Sequence, residues 1–338
     1  MKVKYPETAN NILVTCGGKW VGIILQLREA MRRHPAFVSA RIVVASSDEL
    51  TPAGCFADEA VQVPLIRASD YVDCLSKVCR SRSIRVLVPL IDLDLERLAP
   101  ELALFRAMGT TVVCPPPRLT ELCLDKLRFA GFAEQNDLPH PRTFVYPDLQ
   151  GLAFPAYYKR RRGFGSIGSG ICRVPGEAVS LAEHDPNILF QQKVDAPEVT
   201  VDAYISRTGK CIVCVPRIRD KVVAGEAYKS HTIRVAEVER LAMRTINALA
   251  TEGLHGPLNV QIFHTSPPML LEVNTRLGSA SVLSNMAAGG RLLDALLNEA
   301  VGGTSEGDPS DYLVGLQLNR FLGDVFHSGT KVVAVKPQ

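Results

Sequence analysis

The sequence predicts an α/β unit followed by an α+β unit, and three observations lead to this prediction. From Asn11 to Cys114, short apolar runs alternate with segments whose apolar residues recur at helical spacing. From Phe154 onwards, strand-like runs follow one another across glycine-rich or polar turns. Between the two patterns, Pro115–Pro117 forms the clearest break in the chain. We therefore expect a parallel sheet with helices on both faces, followed by an antiparallel unit.

The predicted strands of the first unit are apolar runs short enough to be buried in a parallel sheet. They are Asn11–Cys16, Arg41–Ala45, Ala60–Pro64, Ile84–Leu90 and Thr111–Cys114. Helices are predicted at Trp20–Arg33, Tyr71–Ser81, Glu96–Met108 and, beyond the prolines, Leu119–Asn136. The second unit is predicted to have a helix at Val235–Thr251 and strands at Phe154–Lys159, Asn187–Lys193, Thr200–Ser206, Cys211–Pro216, Leu258–His264 and Met269–Asn274.

The composition is that of an ordinary globular protein. Of 338 residues, 46% are hydrophobic and 22% are charged, and the formal net charge of +3 argues against a dedicated nucleic-acid-binding protein. No apolar run approaches the roughly 18 residues that a membrane span needs, and the polar start lacks the pattern of an export signal. Nine cysteines spread along the chain indicate reduced thiols rather than a disulfide scaffold. We therefore expect a cytoplasmic protein that binds neither nucleic acid nor membranes.

A glycine-containing turn follows the first predicted strand. Gly17–Gly22 opens the first helix as a dinucleotide-binding turn would, but its spacing is not GxGxxG. Arg41–Ala45 is not directly followed by the acidic residue that is expected to hold a ribose. A simple strand-to-helix turn is the favoured interpretation, and a dinucleotide-dependent oxidoreductase is the alternative that this turn leaves open.

A run of four cations stands beside a glycine-rich loop. Lys159 ends a predicted strand, three arginines follow it, and glycines stand at positions 163, 165, 168 and 170. Glycines allow backbone N–H groups to approach phosphate oxygens closely, and a lysine supplies a positive charge. A solvated charged face beside an ordinary turn is the alternative. The combination at a strand end favours a clamp for a triphosphate.

A predicted hairpin carries the candidate metal ligands. In a simple hairpin Gln261 stands opposite Glu272 and Asn259 opposite Asn274, and strand alternation places all four side chains on one face. A carboxylate and amide oxygens suit a hard cation such as Mg²⁺. Arg276 follows closely and can meet a phosphate or a carboxylate. An ordinary polar sheet face is the alternative for any one of these residues.

Two further features do not yield a single function. Cys211 and Cys214 match a CxxC spacing, but on a regular strand they face opposite sides, which argues against a metal or redox site. A charge-dense segment then lies between two predicted strands and is interpreted either as a solvated loop or as a substrate-binding loop. Its charged or titratable residues include Arg217, Arg219, Glu226, Lys229 and His231.

These features together resemble the ATP-grasp superfamily, near its branch similar to the large subunit of carbamoyl phosphate synthase. The most specific similarity is the run from Gly256 to Arg276, which resembles the family's NVQ … E-x-N-x-R metal site. Asp125-Lys126 resembles the start of the ATP-binding half, and Phe154–Gly168 resembles its lid. Ile84–Glu96 resembles the family's vlvPxxDxEL segment.

The resemblance implies the ATP-grasp fold. An N-terminal Rossmann-like (pre-ATP-grasp) domain is expected at residues 1–114, a helical linker with a small lid subdomain at 115–190, and a catalytic subdomain with the central antiparallel sheet at 191–338. One departure concerns Arg160, which stands where the family usually has proline after the lysine. We therefore expect an unusually cationic lid that suits an anionic substrate.

The resemblance also implies ATP as cofactor, with Mg²⁺ or Mn²⁺, and a role for each candidate residue. Nucleotide contacts are implied for Lys126, Lys159, Gly163, Gly165, Ser166, Gly168, Gln191, Gln192, Lys193, Val194 and Glu198, the last of which would meet the ribose. Metal ligands are implied at Gln261, Glu272 and Asn274. Catalytic roles are implied for Arg276, Arg219 and Asn274. Substrate contacts are expected from Arg217, Glu226, Lys229 and Ser279.

The activity that the resemblance implies is that of a carboxylate–amine ligase. Such an enzyme forms an amide or peptide bond through an acyl phosphate and releases ADP and phosphate. A kinase that stops at phosphoryl transfer is one alternative, and a nucleotide-binding regulator without turnover is another. The expected partners are a small-molecule carboxylate and an amine. The oligomeric state stays open, although a homodimer is common among similar enzymes.

Overall fold

The computed structural model describes residues 10–163, 167–223, 225–328 and 331–337, and for residues 327, 328 and 331–337 it describes the backbone. No helix in this part of the chain is both long enough and apolar enough to cross a membrane.

A five-stranded parallel sheet forms the N-terminal unit, as predicted. Its strands are β1 (Asn11–Thr15), β2 (Ile42–Ser46), β3 (Glu59–Gln62), β4 (Ile84–Pro89) and β5 (Thr111–Val112). They lie in the order β3-β2-β1-β4-β5, and every neighbouring pair is parallel. The central strands β1 and β4 are buried along almost their whole length because helices cover both faces of such a sheet.

Five helices accompany this sheet. They are α1 (Val21–Arg33), α2 (Pro52–Phe56), α3 (Tyr71–Ser81), α4 (Asp92–Leu98) and α5 (Leu102–Ala107). The single helix predicted at Glu96–Met108 is wrong, because a 3₁₀ turn at Ala99–Glu101 separates α4 from α5. Pro100 lies in that turn, and proline cannot donate the backbone hydrogen bond that a continuous α-helix requires. The first of these two helices, α4, also begins earlier than predicted, at Asp92 rather than Glu96.

The helix predicted at Leu119–Asn136 is also divided into two, α6 (Pro117–Leu124) and α7 (Lys126–Gln135). Asp125 between them has an extended backbone, and its carboxylate accepts hydrogen bonds from the N–H groups of Leu127 and Arg128. Aspartate is favoured at such a helix start because it satisfies N–H groups that have no partner within the helix. The break places Lys126 in the first turn of α7.

A small antiparallel sheet follows. Its strands are β6 (Thr143–Phe144), β7 (Ala156–Arg160), β8 (Gly170–Cys172) and β9 (Ile188–Gln192), in the order β6-β9-β7-β8, with α8 (Pro175–His184) packed against them. The strands predicted at Phe154–Lys159 and Asn187–Lys193 are β7 and β9. The glycine-rich loop connects β7 to β8, so it stands at one end of this sheet.

A six-stranded antiparallel sheet forms the largest unit. Its strands are β10 (Glu198–Ile205), β11 (Cys211–Val223), β12 (Glu226–Thr232), β13 (Gly256–Phe263), β14 (Met269–Asn274) and β15 (Gln317–Asn319), in the order β14-β13-β10-β11-β12-β15. The associated helices are α9 (Ala236–Thr251), α10 (Ser281–Ala287) and α11 (Arg291–Ala300). The last two strands, β16 (Gly323–Ser328) and β17 (Lys331–Pro337), pair only with each other among the described strands.

Two hydrophobic cores connect elements that are far apart in the sequence. One cluster of buried side chains joins α1 and β1 of the parallel sheet to α11 and one face of β11, with Ile12, Leu27 and Val215 among its members. The other joins α6, α7 and α9 to the opposite face of the large sheet, with Phe129 and Val260 among its members. The helices between Pro117 and Gln135 thus pack with the large sheet. The boundaries at residues 114 and 190 stay a prediction.

Two local predictions are wrong. The segment from Arg217 to His231 is not a loop, because its residues belong mostly to β11 and β12, whose antiparallel register pairs Arg217 with Thr232. Cys211 and Cys214 do not face opposite sides, because a register shift opposite Tyr204 breaks the regular alternation. Both thiols are buried in the same core, and their mutual hydrogen bond raises the pKa of Cys214. None of the nine cysteines, all of which lie in the described part of the chain, forms a disulfide.

Candidate active site

A cleft of about 600 Å³ lies between the small sheet and the β13–β14 hairpin of the large sheet. It brings together side chains that are far apart in the sequence and that were predicted to belong to the site. The predicted residues that line it are Lys126, Lys159, Gly163, Gln191, Gln192, Lys193, Val194, Glu198, Arg219, Gln261, Glu272, Asn274 and Arg276. Gly165 and Ser166 lie outside the described residues. Gly168 does not line the cleft, although its neighbours Ile167 and Ser169 do.

The β13–β14 hairpin has the predicted register. Gln261 pairs with Glu272, and Asn259 pairs with Asn274. The residues between them, including Val260 and Val273, are buried in the core beneath the sheet. Because side chains alternate along strands, burial of these valines places the carboxylate and amides on the opposite face, towards the cleft.

The donor set on this face fits a hard divalent cation. Asn274 Nδ2 donates to Asn259 Oδ1 at 3.1 Å, which leaves Asn274 Oδ1 as an acceptor. Glu272 contributes a carboxylate and Gln261 an amide oxygen beside it. No group of three or more acidic, histidine or cysteine side chains capable of holding a metal occurs in the described part of the chain. A small cation such as Mg²⁺ nevertheless needs only one or two carboxylates when phosphate oxygens and water complete its shell.

Lys159 supplies a buried positive charge to the same cleft. It lies on β7 opposite Leu189 of β9 and is only 7% exposed. Burial lowers its pKa from 10.5 to about 8, partly opposed by the carboxylates of Glu272 and Glu198, while the charge of Lys126 lowers it further. These mutual effects place two lysines and two carboxylates within electrostatic reach of one another. An anionic ligand in the cleft would favour the charged form of Lys159.

Lys126 is held against the glycine-rich loop. Its Nζ donates to the carbonyl oxygen of Gly163 at 2.8 Å, and its backbone N–H donates to the carbonyl of Arg161 at 3.0 Å. The neighbouring Asp125 accepts two hydrogen bonds of 2.8 Å from Arg161 Nε. Burial raises the pKa of Asp125, but Arg161 and the helix N–H groups outweigh this effect and lower it. The start of α7 and the end of β7 are therefore joined at this point.

The three arginines after Lys159 all pair with carboxylates of the protein. Arg160 contacts Asp185 at 3.1 Å, Arg161 contacts Asp125, and Arg162 contacts Glu96 at 2.9 Å and also Glu121. The expected cationic lid is therefore wrong for the described residues, because these charges are neutralised locally. The sequence could not show this, since the partners lie on α4, on α6, at Asp125 between α6 and α7, and in the loop before β9.

Arg276 and Arg219, the two candidate catalytic arginines, are each held by an acidic side chain. Arg276 donates from Nε and Nη2 to the two carboxylate oxygens of Asp92, with both distances 2.8 Å. Arg219 forms an ion pair with Glu198, the residue implied to meet the ribose. Both pairs line the cleft, so they fix the positions of guanidinium groups that face it.

A second cavity of about 250 Å³ adjoins the cleft. Arg219, Gln261, Asn274 and Arg276 line both spaces, so the two meet at these side chains. The smaller cavity contains three of the four residues expected to contact substrate, namely Arg217, Glu226 and Ser279. The fourth, Lys229, is exposed on β12 and lines neither space. The prediction for Lys229 is therefore not supported by its position.

Three residues at or behind the site were not predicted from the sequence. Trp20 lines the smaller cavity and donates from Nε1 to Glu226 at 2.8 Å. Asp92 holds Arg276, and the buried Asp202 holds Arg217. Asp92 lies in the segment that resembles the family's vlvPxxDxEL run, which is a signal that could have pointed to it. Trp20 and Asp202 carry no local signal because their partners come from distant elements.

Two protein-family models match the chain within these elements. The model of the PylC-like N-terminal domain matches residues 12–113. The model described as "ATP-grasp in the biosynthetic pathway with Ter operon" matches residues 184–319, which include the cleft hairpin. The chain therefore contains an ATP-grasp domain.

Known proteins similar to this chain include two curated relatives. The mitochondrial arginine-specific carbamoyl phosphate synthase large chain of Neurospora crassa is 25% identical over 211 residues, which cover 56% of this chain and 18% of that protein. The D-alanine–D-alanine ligase of Corynebacterium urealyticum is 28% identical over 153 residues, which cover 38% of this chain and 41% of that protein. This chain thus spans less than half the length of either relative.

The fold of this chain is also similar to that of solved structures. The biotin carboxylase domain of the Hydrogenobacter thermophilus 2-oxoglutarate carboxylase superposes with a TM-score of 0.73 over 90% of this chain and 72% of that one. Sequence identity is 14%, so the similarity concerns the fold. The parallel N-terminal sheet followed by two antiparallel sheets agrees with the architecture predicted from the sequence.

Proposed function

We propose that this ATP-grasp protein is an ATP- and Mg²⁺-dependent carboxylate–amine ligase. The observation that supports this proposal best is the cleft, which joins Lys126 and Lys159 to Glu272 and Arg276 across two sheets. Cations on one wall of the cleft suit the phosphates of a nucleoside triphosphate, and the carboxylate of the hairpin on the other wall suits its metal ion. The two curated relatives are a carbamoyl phosphate synthase chain and a D-alanine–D-alanine ligase, and the solved carboxylase domain was crystallised in complex with MgADP.

The proposed nucleotide contacts follow from the lining of the cleft. Lys159 and Lys126 would meet the phosphates, and the loop from Gly163 would cover them. The segment from Gln191 to Val194 would contact the base, and Glu198 would contact the ribose once it exchanges its bond with Arg219. The apolar side chains of Ile171 and Leu271 line the same cleft and suit a planar base. Gly165, Ser166 and Gly168 stay predicted members of the covering loop.

Mg²⁺ held by Glu272 with Gln261 and Asn274 would neutralise phosphate charge during transfer. Arg276, fixed by Asp92, would donate to the phosphoryl group as it moves to the substrate. Arg219 would support the same group from the opposite strand once a nucleotide displaces Glu198. The smaller cavity would hold the acid so that its carboxylate reaches the shared border with the cleft. Enclosure between the two sheets would exclude water, which would otherwise hydrolyse an acyl phosphate.

The proposed reaction has two steps. A carboxylate oxygen of the substrate attacks the γ-phosphorus of ATP, the bond to the β-phosphate oxygen breaks, and ADP leaves. The nitrogen of an amine then attacks the acyl carbon, the bond to the phosphate oxygen breaks, and phosphate leaves with loss of one proton from nitrogen. The product is an amide, and no covalent bond to the protein forms. This fits a site whose reactive groups are cations, amides and one hairpin carboxylate.

The experiment that tests the proposal measures ADP and phosphate release over a library of acids and amines, with mass spectrometry of the products. ATP consumption that needs both an acid and an amine, together with an amide product, supports the ligase. A stable phosphorylated product formed without an amine supports the kinase alternative instead. Binding of ATP without turnover for any acid–amine pair supports a regulator.

The assembly and the substrates are part of the same proposal. A homodimer stays a prediction, which light scattering of the purified protein would test. We propose small-molecule substrates, because the smaller cavity, at about 250 Å³, lies below the roughly 300–1,000 Å³ typical of drug-sized ligands.

A further inference from the structure

Arg217 is the most buried of the charged residues that line the smaller cavity. It is only 4% exposed, and its Nε donates to Asp202 Oδ2 at 2.7 Å. Asp202 is fully buried and also accepts hydrogen bonds from the hydroxyl groups of Ser281 and Ser284. The guanidinium group is therefore fixed in one orientation by a carboxylate whose own oxygen atoms are occupied. An arginine held in this way is pre-organised for a further partner.

Arg217 Nη1 has no hydrogen-bond partner in the described part of the chain, although it is buried. A buried donor without an acceptor destabilises the folded state, and a charged donor does so more than a neutral one. Such atoms are rare in folded proteins and call for an explanation. Arg217 lines the smaller cavity, so an acceptor inside that cavity would complete its hydrogen bonding.

The other charged groups at this cavity already have partners of opposite charge. Arg276 is bound by Asp92, and Arg219 is bound by Glu198. Glu226 accepts from Arg320 at 3.1 Å and from Trp20, and it is 3.5 Å from Lys19. The cavity therefore offers a donor to an incoming molecule at Arg217 rather than an acceptor at Glu226. This polarity selects an anionic group.

A space large enough for a methyl group also lies beside Arg217, at Gly278. A Cβ atom added to Gly278 would lie 3.8 Å from Arg217 Nη2, 3.5 Å from Asn259 Nδ2 and 3.4 Å from Ser281 Oγ. The absence of a side chain at Gly278 thus keeps open the space next to the guanidinium group. Trp20 and Leu90 supply an apolar wall to the same cavity, which suits a short hydrocarbon body.

We propose that the smaller cavity binds a free carboxylate of a small organic acid through Arg217, in addition to the carboxylate that is phosphorylated. This inference rests on the proposed function, because the site of phosphorylation is the border that this cavity shares with the cleft. The free carboxylate has two sources. It is either the second carboxylate of a diacid or the carboxylate of an amino acid that serves as the amine. Both present the same oxygen acceptors to Arg217.

The test is a binding measurement that does not depend on turnover. Isothermal titration calorimetry with a non-hydrolysable ATP analogue present compares acids with amides in which one carboxylate is replaced. The probes are glutarate against its monoamide, and alanine against alaninamide. We expect one acid to bind at least about tenfold more tightly than its amide, equivalent to about 1.4 kcal/mol. The pair that shows the difference identifies the source of the carboxylate.

Two variants locate the effect. Arg217→Lys keeps a positive charge near Asp202 but removes Nη1, and we expect it to abolish the preference for the acid. Gly278→Ala leaves the Arg217–Asp202 pair intact and narrows the space, and we expect it to weaken binding of the acid. Arg118→Lys, which alters an exposed ion pair with Glu252, is the matched control and is expected to bind as the parent does.

The outcomes separate this inference from the proposed function. If no acid binds more tightly than its amide, or if the preference survives in both variants, the assignment of Arg217 is wrong. If Arg217→Lys fails to fold, as its thermal melt would show, Gly278→Ala decides the question. If the preference is found but no acid–amine pair supports ATP turnover, the cavity assignment stands and the ligase proposal fails.

Discussion

Asp92 and Arg276 form a two-pronged ion pair that joins the N-terminal unit to the end of β14. Nε and Nη2 of Arg276 lie 2.8 Å from the two carboxylate oxygens of Asp92. Both side chains are largely buried, with 13% and 16% of the side chain exposed for Asp92 and Arg276. A bidentate pair fixes both the position and the plane of a guanidinium group. The first residue of α4 therefore orients an arginine that the proposed reaction needs.

We expect Asp92→Asn to lower kcat by about tenfold, because loss of one charge-assisted hydrogen bond costs about 1.5–3 kcal/mol. The KM for ATP should change less, since the phosphate-binding lysines are untouched. Steady-state phosphate release measures both constants. Asp58→Asn, which alters the more exposed pair with Arg28, is the control and should keep the parent kcat. An unchanged kcat in Asp92→Asn would show that Arg276 does not depend on this pair.

We expect Glu272→Ala to reduce ATP turnover by at least about 100-fold, because a metal held near transferring phosphate contributes several kcal/mol. The fold should survive, since Glu272 lies on the cleft face rather than in the core. Turnover and thermal melting are measured together across a range of Mg²⁺ concentrations. Glu252→Gln, at an exposed ion pair, is the control. Turnover at the parental rate in Glu272→Ala would disprove the metal assignment.

The pKa of Lys159, lowered to about 8, predicts a pH dependence of nucleotide binding. Below pH 8 the lysine is charged and ATP affinity should be constant, whereas above pH 8 the free protein loses this charge and affinity should fall. Binding at pH 8.5 should therefore take up a fraction of a proton. Calorimetry in buffers of different ionisation enthalpy measures this uptake. Lys159→Arg should abolish it, because arginine stays charged.

The same pKa has a consequence for stability, and its sign is opposite to that of ATP binding. The folded pKa is about 8 and the usual value is 10.5, so the unfolded chain binds more protons between these values. Stability attributable to Lys159 therefore rises with pH across this window. Lys159→Ala should flatten that part of the stability curve and also weaken ATP binding. Unchanged ATP affinity in Lys159→Ala would contradict its proposed role.

Asp125 is predicted to stabilise the joint between α7 and β7. Asp125→Ala removes a helix cap, which costs about 1 kcal/mol, and also removes the acceptor of Arg161. We expect a clear decrease in melting temperature, larger than that of Asp185→Ala, which removes the acceptor of the exposed Arg160. Because the folded pKa of Asp125 is lowered, its contribution is present at neutral pH and is lost in acid. Equal decreases in melting temperature in the two variants would show that Asp125 contributes no more to stability than the exposed Asp185–Arg160 pair does.

The fold was largely predictable because each unit has a strong local pattern. The parallel strands are continuous apolar runs, and the β13–β14 register followed from the period of two along a strand. The errors occurred where a single residue overrides a pattern. Pro100 divides one predicted helix, Asp125 divides another, and a register shift brings Cys211 and Cys214 to one face. Such local exceptions depend on individual backbone angles rather than on periodicity.

The sequence by itself determined the two-part fold, the hairpin face of Glu272 and the resemblance to the ATP-grasp superfamily. These follow from spacing and residue type, which are local properties. Only the tertiary structure decided which charged groups have ion-pair or hydrogen-bond partners. It paired the arginines after Lys159 with carboxylates of other elements, held Arg276 on Asp92, and left Arg217 Nη1 without an acceptor beside a cavity. Ion pairing depends on distances between residues remote in sequence, and those distances exist only once the sheets have packed.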